Sequence, residues 1–191
     1  MKKKALIVID MQNDYLWPER KQKFSYDTES LTGNVNAAIR YFKDQGNDVI
    51  YIAQMFFNIP TNRWLIGFSI EGTEGAQLYS GLDVASGLYF EKRLPDTFSS
   101  KAFREHMRKK DYSAVYLCGL DECGCVGATA KGAVKAGIPV RMIKDCIGRR
   151  FPEEKVLEKR RKLRALGVKF TTLEKIQTKG IPNSGQEGRS L

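Results

Sequence analysis

The chain has 191 residues, enough for one domain with a substantial core, and 42% of them are hydrophobic, which excludes a chain too polar to fold. No apolar run approaches the ~20 residues of a membrane span. The lysine-rich start lacks the apolar stretch and cleavage site of a signal peptide, so a cytoplasmic protein with no membrane partner is expected.

In chain order, residues 5–9 are a continuous aliphatic run, the pattern of a strand buried on both faces, and it stops at Asp10. Residues 11–18 are turn-rich and carry Tyr15 and Trp17. Residues 31–45 place Leu31, Val35, Ala38, Ile39 and Phe42 at helical spacing, with Gly46 as the stop. Residues 48–53 read as a second strand, so the two strands and their helix predict a right-handed crossover and a parallel pair. Residues 54–87 are the least regular part, with Met55, Phe56, Phe57, Trp64 and Phe68 among several glycines. A loop this long lines or covers a pocket, or is an insertion with its own apolar cluster. Further strands are predicted over 88–91 (ending at Lys92), 113–118, 139–143 and 168–173, and helices over 101–109, from about Cys123 to Gly137, and over 153–166. The expected fold is a Rossmann-like three-layer α/β/α domain over residues 1–177, with a central, mostly parallel six-stranded sheet. Residues 178–191, rich in Gly, Pro, Ser and Gln, are expected to be a disordered tail.

The net charge of +10 fits nucleic-acid contact, attraction of an anionic substrate, or solubility. Its densest runs, 104–110 and 155–164, have no interleaved aromatics. They read as solvated helix faces, and nucleic acid is not expected as a partner. Three of the four cysteines, Cys118, Cys123 and Cys125, crowd one strand-to-helix junction, and Cys146 stands apart. That spacing fits a reduced intracellular protein better than a disulfide framework. With His106 the sole histidine, a His-rich metal site is excluded.

The junction at residues 114–137 puts Cys125 in the first turn of a helix, just past the carboxyl end of a buried strand. Open α/β sheets place ligands there, and the positive end of the helix favours a thiolate, so a lowered thiol pKa is expected. Asp10 and Lys92 also fall at carboxyl ends of predicted strands, on the same edge of a parallel sheet. A thiol nucleophile needs a base, and with histidine nearly absent a carboxylate is the available one, with a lysine stabilising both anions. Taken singly, a buried cysteine, a capping aspartate and a solvated lysine are each ordinary; their shared edge points to a Cys–Asp–Lys site. Gln12, Tyr15, Trp17, Phe56 and Trp64 are candidates for contact with a small-molecule substrate, by position near strand ends, or for ordinary packing. Arg149 and Arg150, after the fifth strand, are placed either to meet an anionic substrate group or to sit in a solvated loop.

Four blocks in order resemble the isochorismatase-like cysteine hydrolases, the superfamily that includes nicotinamidases and N-carbamoylsarcosine amidases. They are residues 5–14, ending in Asp10-Met11-Gln12-Asn13-Asp14; Gly72-Thr73-Glu74-Gly75-Ala76; Lys92-Arg93-Leu94-Pro95-Asp96-Thr97-Phe98; and residues 119–130 around Cys125-Val126. The resemblance covers residues 5–175. It implies a catalytic triad of Cys125 as nucleophile, Asp10 as general base and Lys92 as electrostatic partner. It also implies a cis peptide before Asp121, and an oxyanion hole from the backbone N–H groups of Asp121 and Cys125. The implied chemistry is amidase-like: hydrolysis of a C–N bond through a covalent thioester-type adduct. Homo-oligomers are common among such relatives, and one is expected here.

This chain departs from the pattern at Asp121 and Glu122, where many relatives carry small or neutral residues; the Asp121 side chain is expected to point away from the site. The segment that holds a histidine-containing metal site in nicotinamidases is here Gln54-Met55-Phe56-Phe57-Asn58-Ile59-Pro60, without histidine. Nicotinamidase activity is therefore not expected, and neither a metal nor a cofactor is implied. Two alternatives compete with the thiol amidase: vinyl ether hydrolysis of the isochorismatase type, and a non-catalytic protein that uses its basic helices to bind an acidic partner.

Overall fold

A computed structural model describes residues 2–180. Its six strands are β1 (Ala5–Ile9), β2 (Asp48–Gln54), β3 (Tyr89–Lys92), β4 (Val115–Gly119), β5 (Val140–Ile147) and β6 (Lys169–Thr171). They form one sheet of order β3-β2-β1-β4-β5-β6 in which every pairing is parallel. The helices are α1 (Asn13–Leu16), α2 (Thr28–Asp44), α3 (Pro60–Leu65), α4 (Lys101–Lys110), α5 (Cys125–Lys135), α6 (Glu153–Ala165) and α7 (Leu173–Lys179).

The alternation of side chains along each strand divides the core in two. Leu6, Val8, Val49, Tyr51, Tyr116 and Cys118 point to one face, where α2 covers them with Leu31, Val35, Ala38, Ile39 and Phe42, and α7 adds Leu173 and Ile176. Ala5, Ile7, Ile9, Ile50, Ile52, Val115 and Leu117 point to the other, under Phe103 and Met107 of α4, Val126, Ala130 and Ala133 of α5, and Leu163 of α6. All five residues of β1 and of β4 are buried, which is why both strands read as unbroken apolar runs.

The chain works outward from β1 through β2 to β3, then returns to the other side of β1 and works outward through β4, β5 and β6. The order therefore reverses between β1 and β4, and the carboxyl ends of those two strands border the crevice where such sheets bind ligands. The two strands meet closely there. Ile9 pairs with Gly119, whose φ of +101° and lack of a side chain are both required, because a Cβ would lie 2.1 Å from the Ile9 carbonyl oxygen.

Three elements differ from expectation. β5 runs four residues beyond the predicted end at 143, to Ile147. The stretch expected as a strand through 173 gives only β6, after which Thr172 caps α7 through its side chain. Thr178 and Lys179, assigned to the tail, belong to α7; the rest of the expected tail, residues 181–191, lies outside the described residues.

Candidate active site

Asp10 directly follows β1 with a φ of 54°, an uncommon conformation for a residue with a side chain, adopted most readily by Asp and Asn. Its backbone N–H still donates to the Ile52 carbonyl at 2.8 Å, so this left-handed turn starts at the last rung of the sheet. Two strands away, Lys92 ends β3 and is only 1% exposed. Its Nζ donates to Asp10 Oδ2 at 2.9 Å and to Gln54 Oε1 at 2.7 Å. Taking an ammonium out of water disfavours its charge, but the facing Asp10 carboxylate and Cys125 thiol outweigh that cost and hold Lys92 above the ordinary lysine value.

Cys125 is the first residue of α5 and half-buried. The charges of Asp10 and Lys92 both act on its thiol. Burial pushes the thiol up to about 12, the Asp10 charge adds to that, and the Lys92 charge opposes it. The expectation of a lowered thiol pKa is therefore corrected: the helix end and the ammonium are outweighed by desolvation and by the neighbouring carboxylate. Asp10 Oδ1 has no hydrogen-bond partner, since Oδ2 is the atom committed to Lys92.

The loop between β4 and α5 begins with a cis peptide between Leu120 and Asp121. Asp121 lines the cavity in front of Cys125, and its side chain is tied into the loop. Its Oδ1 accepts the N–H groups of Cys123 and Gly124, each at 3.0 Å, and its Oδ2 accepts that of Arg150 at 3.2 Å. Burial raises its pKa, while Arg150 and these N–H donors oppose the rise. Among the described residues, nothing accepts the backbone N–H of Asp121 or of Cys125. Glu122 is fully buried beside this loop. Both its oxygens are held by Arg160 of α6, at 2.5 and 2.8 Å.

These groups border a cavity of about 390 Å³ that contains Asp10, Asp121 and Cys125, with Tyr15, Phe24, Phe56 and Phe68 as aromatic wall and Lys23, Arg93 and Arg150 as cations. The rings meet edge to face: Tyr15 and Phe24 have centroids 4.8 Å apart, Phe24 and Phe68 5.1 Å, Phe56 and Phe68 5.8 Å. Of the five residues expected to touch substrate, Tyr15 and Phe56 are on the wall. Gln12 is not: fully buried, it donates to the carbonyls of Gln54 and Ala76 and accepts the Gln54 N–H, tying the ends of β1 and β2 together. Trp64 is 84% exposed on α3, and Trp17 borders a separate depression; neither lines the cavity. Arg150 lines it and Arg149 does not.

Sequence reasoning missed Lys23, Phe24 and Gln54. Gln54 had a signal, as the last residue of a buried strand beside β1. With its Oε1 turned to Lys92, its Nε2 is left on the cavity wall as a donor with no partner. Lys23 and Phe24 lie in a stretch with no periodicity to mark them.

A family model described as the isochorismatase domain matches residues 4–175. An uncharacterized isochorismatase family protein of Bacillus subtilis, YddQ, is 23% identical over 142 residues, which is 74% of this chain and 75% of that protein. Among solved structures, the fold is similar to that of Pyrococcus horikoshii pyrazinamidase, in complex with zinc, with a TM-score of 0.77 and 22% identity over 90% of this chain and 99% of that one. It is also similar to Thermoplasma acidophilum N-carbamoylsarcosine amidase, with a TM-score of 0.76 and 22% identity over 89% and 96% of the two chains. The segment after β2 here offers no histidine or carboxylate, and among the described residues no three of His, Cys, Asp or Glu cluster as metal ligands, so the residues present do not fit a zinc ion. With the model matching nearly all of the described chain, and the sheet order and strand-end residues as laid out above, this protein belongs to the isochorismatase family.

Proposed function

We propose that this isochorismatase-family hydrolase cleaves the C–N bond of a small amide through a covalent adduct on Cys125. The observation that carries the proposal is the meeting of Cys125, Asp10 and Lys92, from three separate strand ends, beside one cavity. A thiol held near 12 is almost entirely protonated at neutral pH, so attack requires a base at the moment of reaction. Asp10 Oδ1 is that base, being the oxygen without a partner. Lys92 remains an ammonium, fixes the carboxylate through Oδ2 and stabilises the sulfur anion as it forms.

In the first half-reaction Sγ bonds to the amide carbon and its proton passes to Asp10. The carbonyl oxygen, now negative, accepts from the N–H groups of Asp121 and Cys125, which have no acceptor of their own among the described residues. The C–N bond breaks and Asp10 returns the proton to the departing amine, leaving a thioester. In the second half-reaction Asp10 removes a proton from water, which attacks the thioester carbon; the acid leaves and the thiol is restored. The sum is amide plus water giving acid plus ammonia or amine.

The experiment is ammonia release from a panel of small primary amides, with the wild-type chain and Cys125→Ala. For a substrate that the wild type turns over, the variant is expected to lose about 10⁴-fold or more of kcat while its circular dichroism is unchanged. Ammonia release that persists in Cys125→Ala overturns the covalent mechanism.

A further inference from the structure

The mouth of the same cavity carries charge that the cysteine chemistry does not use. Lys23 comes from the stretch between α1 and α2, and Arg150 from the loop after β5, yet both flank the ring of Phe24. Lys23 Nζ is 5.1 Å from that ring's centroid and 4.3 Å from that of Phe68; the Arg150 guanidinium is 5.8 Å from Phe24 and 4.5 Å from Phe151. A lysine at a protein surface normally points into water, where its hydration is best. Here the ammonium lies over aromatic faces beside a second cation. Though exposed, it gives up part of its hydration, and its pKa is lowered first by that loss and then by Lys21 and Arg150.

Neither cation is neutralised in place. Among the described residues Lys23 faces no carboxylate within ion-pair distance, and Arg150 has only Asp121, its Nε 4.0 Å from Oδ2. That carboxylate already accepts three backbone N–H groups. Two charges therefore stand over an aromatic wall with at most one shared counter-charge. We propose that the site selects amides that also carry a carboxylate: the carboxylate binds between Lys23 and Arg150, the apolar middle of the molecule lies on Phe24 and Phe68, and the amide carbon reaches Cys125. A single negative charge fits better than a phosphate, because Asp10 and Asp121 on the same cavity oppose additional negative charge. A volume of about 390 Å³ suits a molecule of this kind. This selectivity rests on the thiol chemistry proposed above.

Iodoacetate and iodoacetamide separate the two claims, because they are nearly equal in size, both alkylate a thiol, and differ in carrying a carboxylate or a neutral amide. Their rates at Cys125 are read by peptide mass spectrometry at pH 9, in the wild type, in Lys23→Gln, Arg150→Gln and the double variant, and in Lys109→Gln as a distant charge control. Lys23, Arg150 and Lys109 are all exposed, so the variants are expected to fold. The iodoacetate-to-iodoacetamide rate ratio is expected to fall about fivefold in the double variant, the size appropriate to two partly solvated charges. It should hold steady in Lys109→Gln and shrink in the wild type at 0.5 M salt. An unchanged ratio in the double variant, with Cys125 still alkylated, overturns the carboxylate selectivity and leaves the thiol mechanism standing. A wild-type Cys125 that neither reagent labels and that releases no ammonia from any amide overturns the mechanism, and the selectivity with it.

Discussion

At Cys125 two opposite charges act on one sulfur. Asp10 disfavours the thiolate and Lys92 favours it, and burial tips the balance toward the thiol. Replacing Asp10 by Asn removes the negative neighbour, so the thiol pKa should fall below its present value near 12 and alkylation by iodoacetamide at pH 9 should speed up. Turnover should move the other way, dropping about 100-fold or more as the base is lost. Rates of alkylation and ammonia release measured on the same variant check this split; a parallel loss of both would mean that Asp10 only holds the site together. Asp10, Lys92 and Cys125 were legible in the sequence because each interrupts or follows a short apolar run, and a parallel sheet brings such ends to one edge. Side-chain direction was not legible. Gln12, three residues past the end of β1, turned inward to bind backbone, whereas Tyr15, three further on, reached the cavity. Trp17 and Trp64 show that size and proximity to a strand end do not aim a ring.

The junction that carries Cys125 is braced from α6. Glu122 is fully buried and its carboxylate is held at both oxygens by Arg160, while Lys159 donates to the Cys123 carbonyl at 3.3 Å. Removing one partner of a buried pair strands the other charge. Arg160→Met should therefore cost about 3–5 kcal/mol in urea unfolding, and adding Glu122→Met should recover most of it. A loss under about 1 kcal/mol for Arg160→Met would show that water reaches Glu122. None of this pairing could be read from the basic run at 155–164, which looked like a uniformly solvated face; one member of it turns inward because Glu122 is there to meet it. The long helices and the inner strands were legible from periodicity. Of the elements that differed, β6 and α7 have three and seven residues, too few for a period to show, and α1 and α3, with four and six, gave no period either.

Over the whole molecule, burial raises the phenols of Tyr15, Tyr26 and Tyr112 and the thiols of Cys118 and Cys146 above their ordinary values. In the unfolded chain these groups ionise near pH 8.5 for thiols and about 10 for phenols, so the unfolded state sheds protons first and stability falls as pH rises. Lys92 acts in the same direction: its raised pKa keeps a proton that an unfolded lysine gives up at about 10.4, a contribution present below that pH and lost above it. Thermal midpoints should decline from about pH 9 and steeply beyond about pH 10. Melts followed by circular dichroism from pH 8 to 11 measure this, and a flat midpoint would mean that these groups are solvated in the folded chain.

Asp10, Lys92 and Cys125 are supplied by the first strand, an outermost strand reached some eighty residues later, and the helix after the strand on the first one's other side. No short fragment holds even two of them together. Under the chemistry proposed above, a nascent chain is inert until its first two-thirds has been made and threaded into one sheet, and any collapsed form with a missing strand is inert as well. Recovered activity after denaturation would thus report completed assembly of the central sheet, where a spectroscopic signal for helix or compactness would report something earlier.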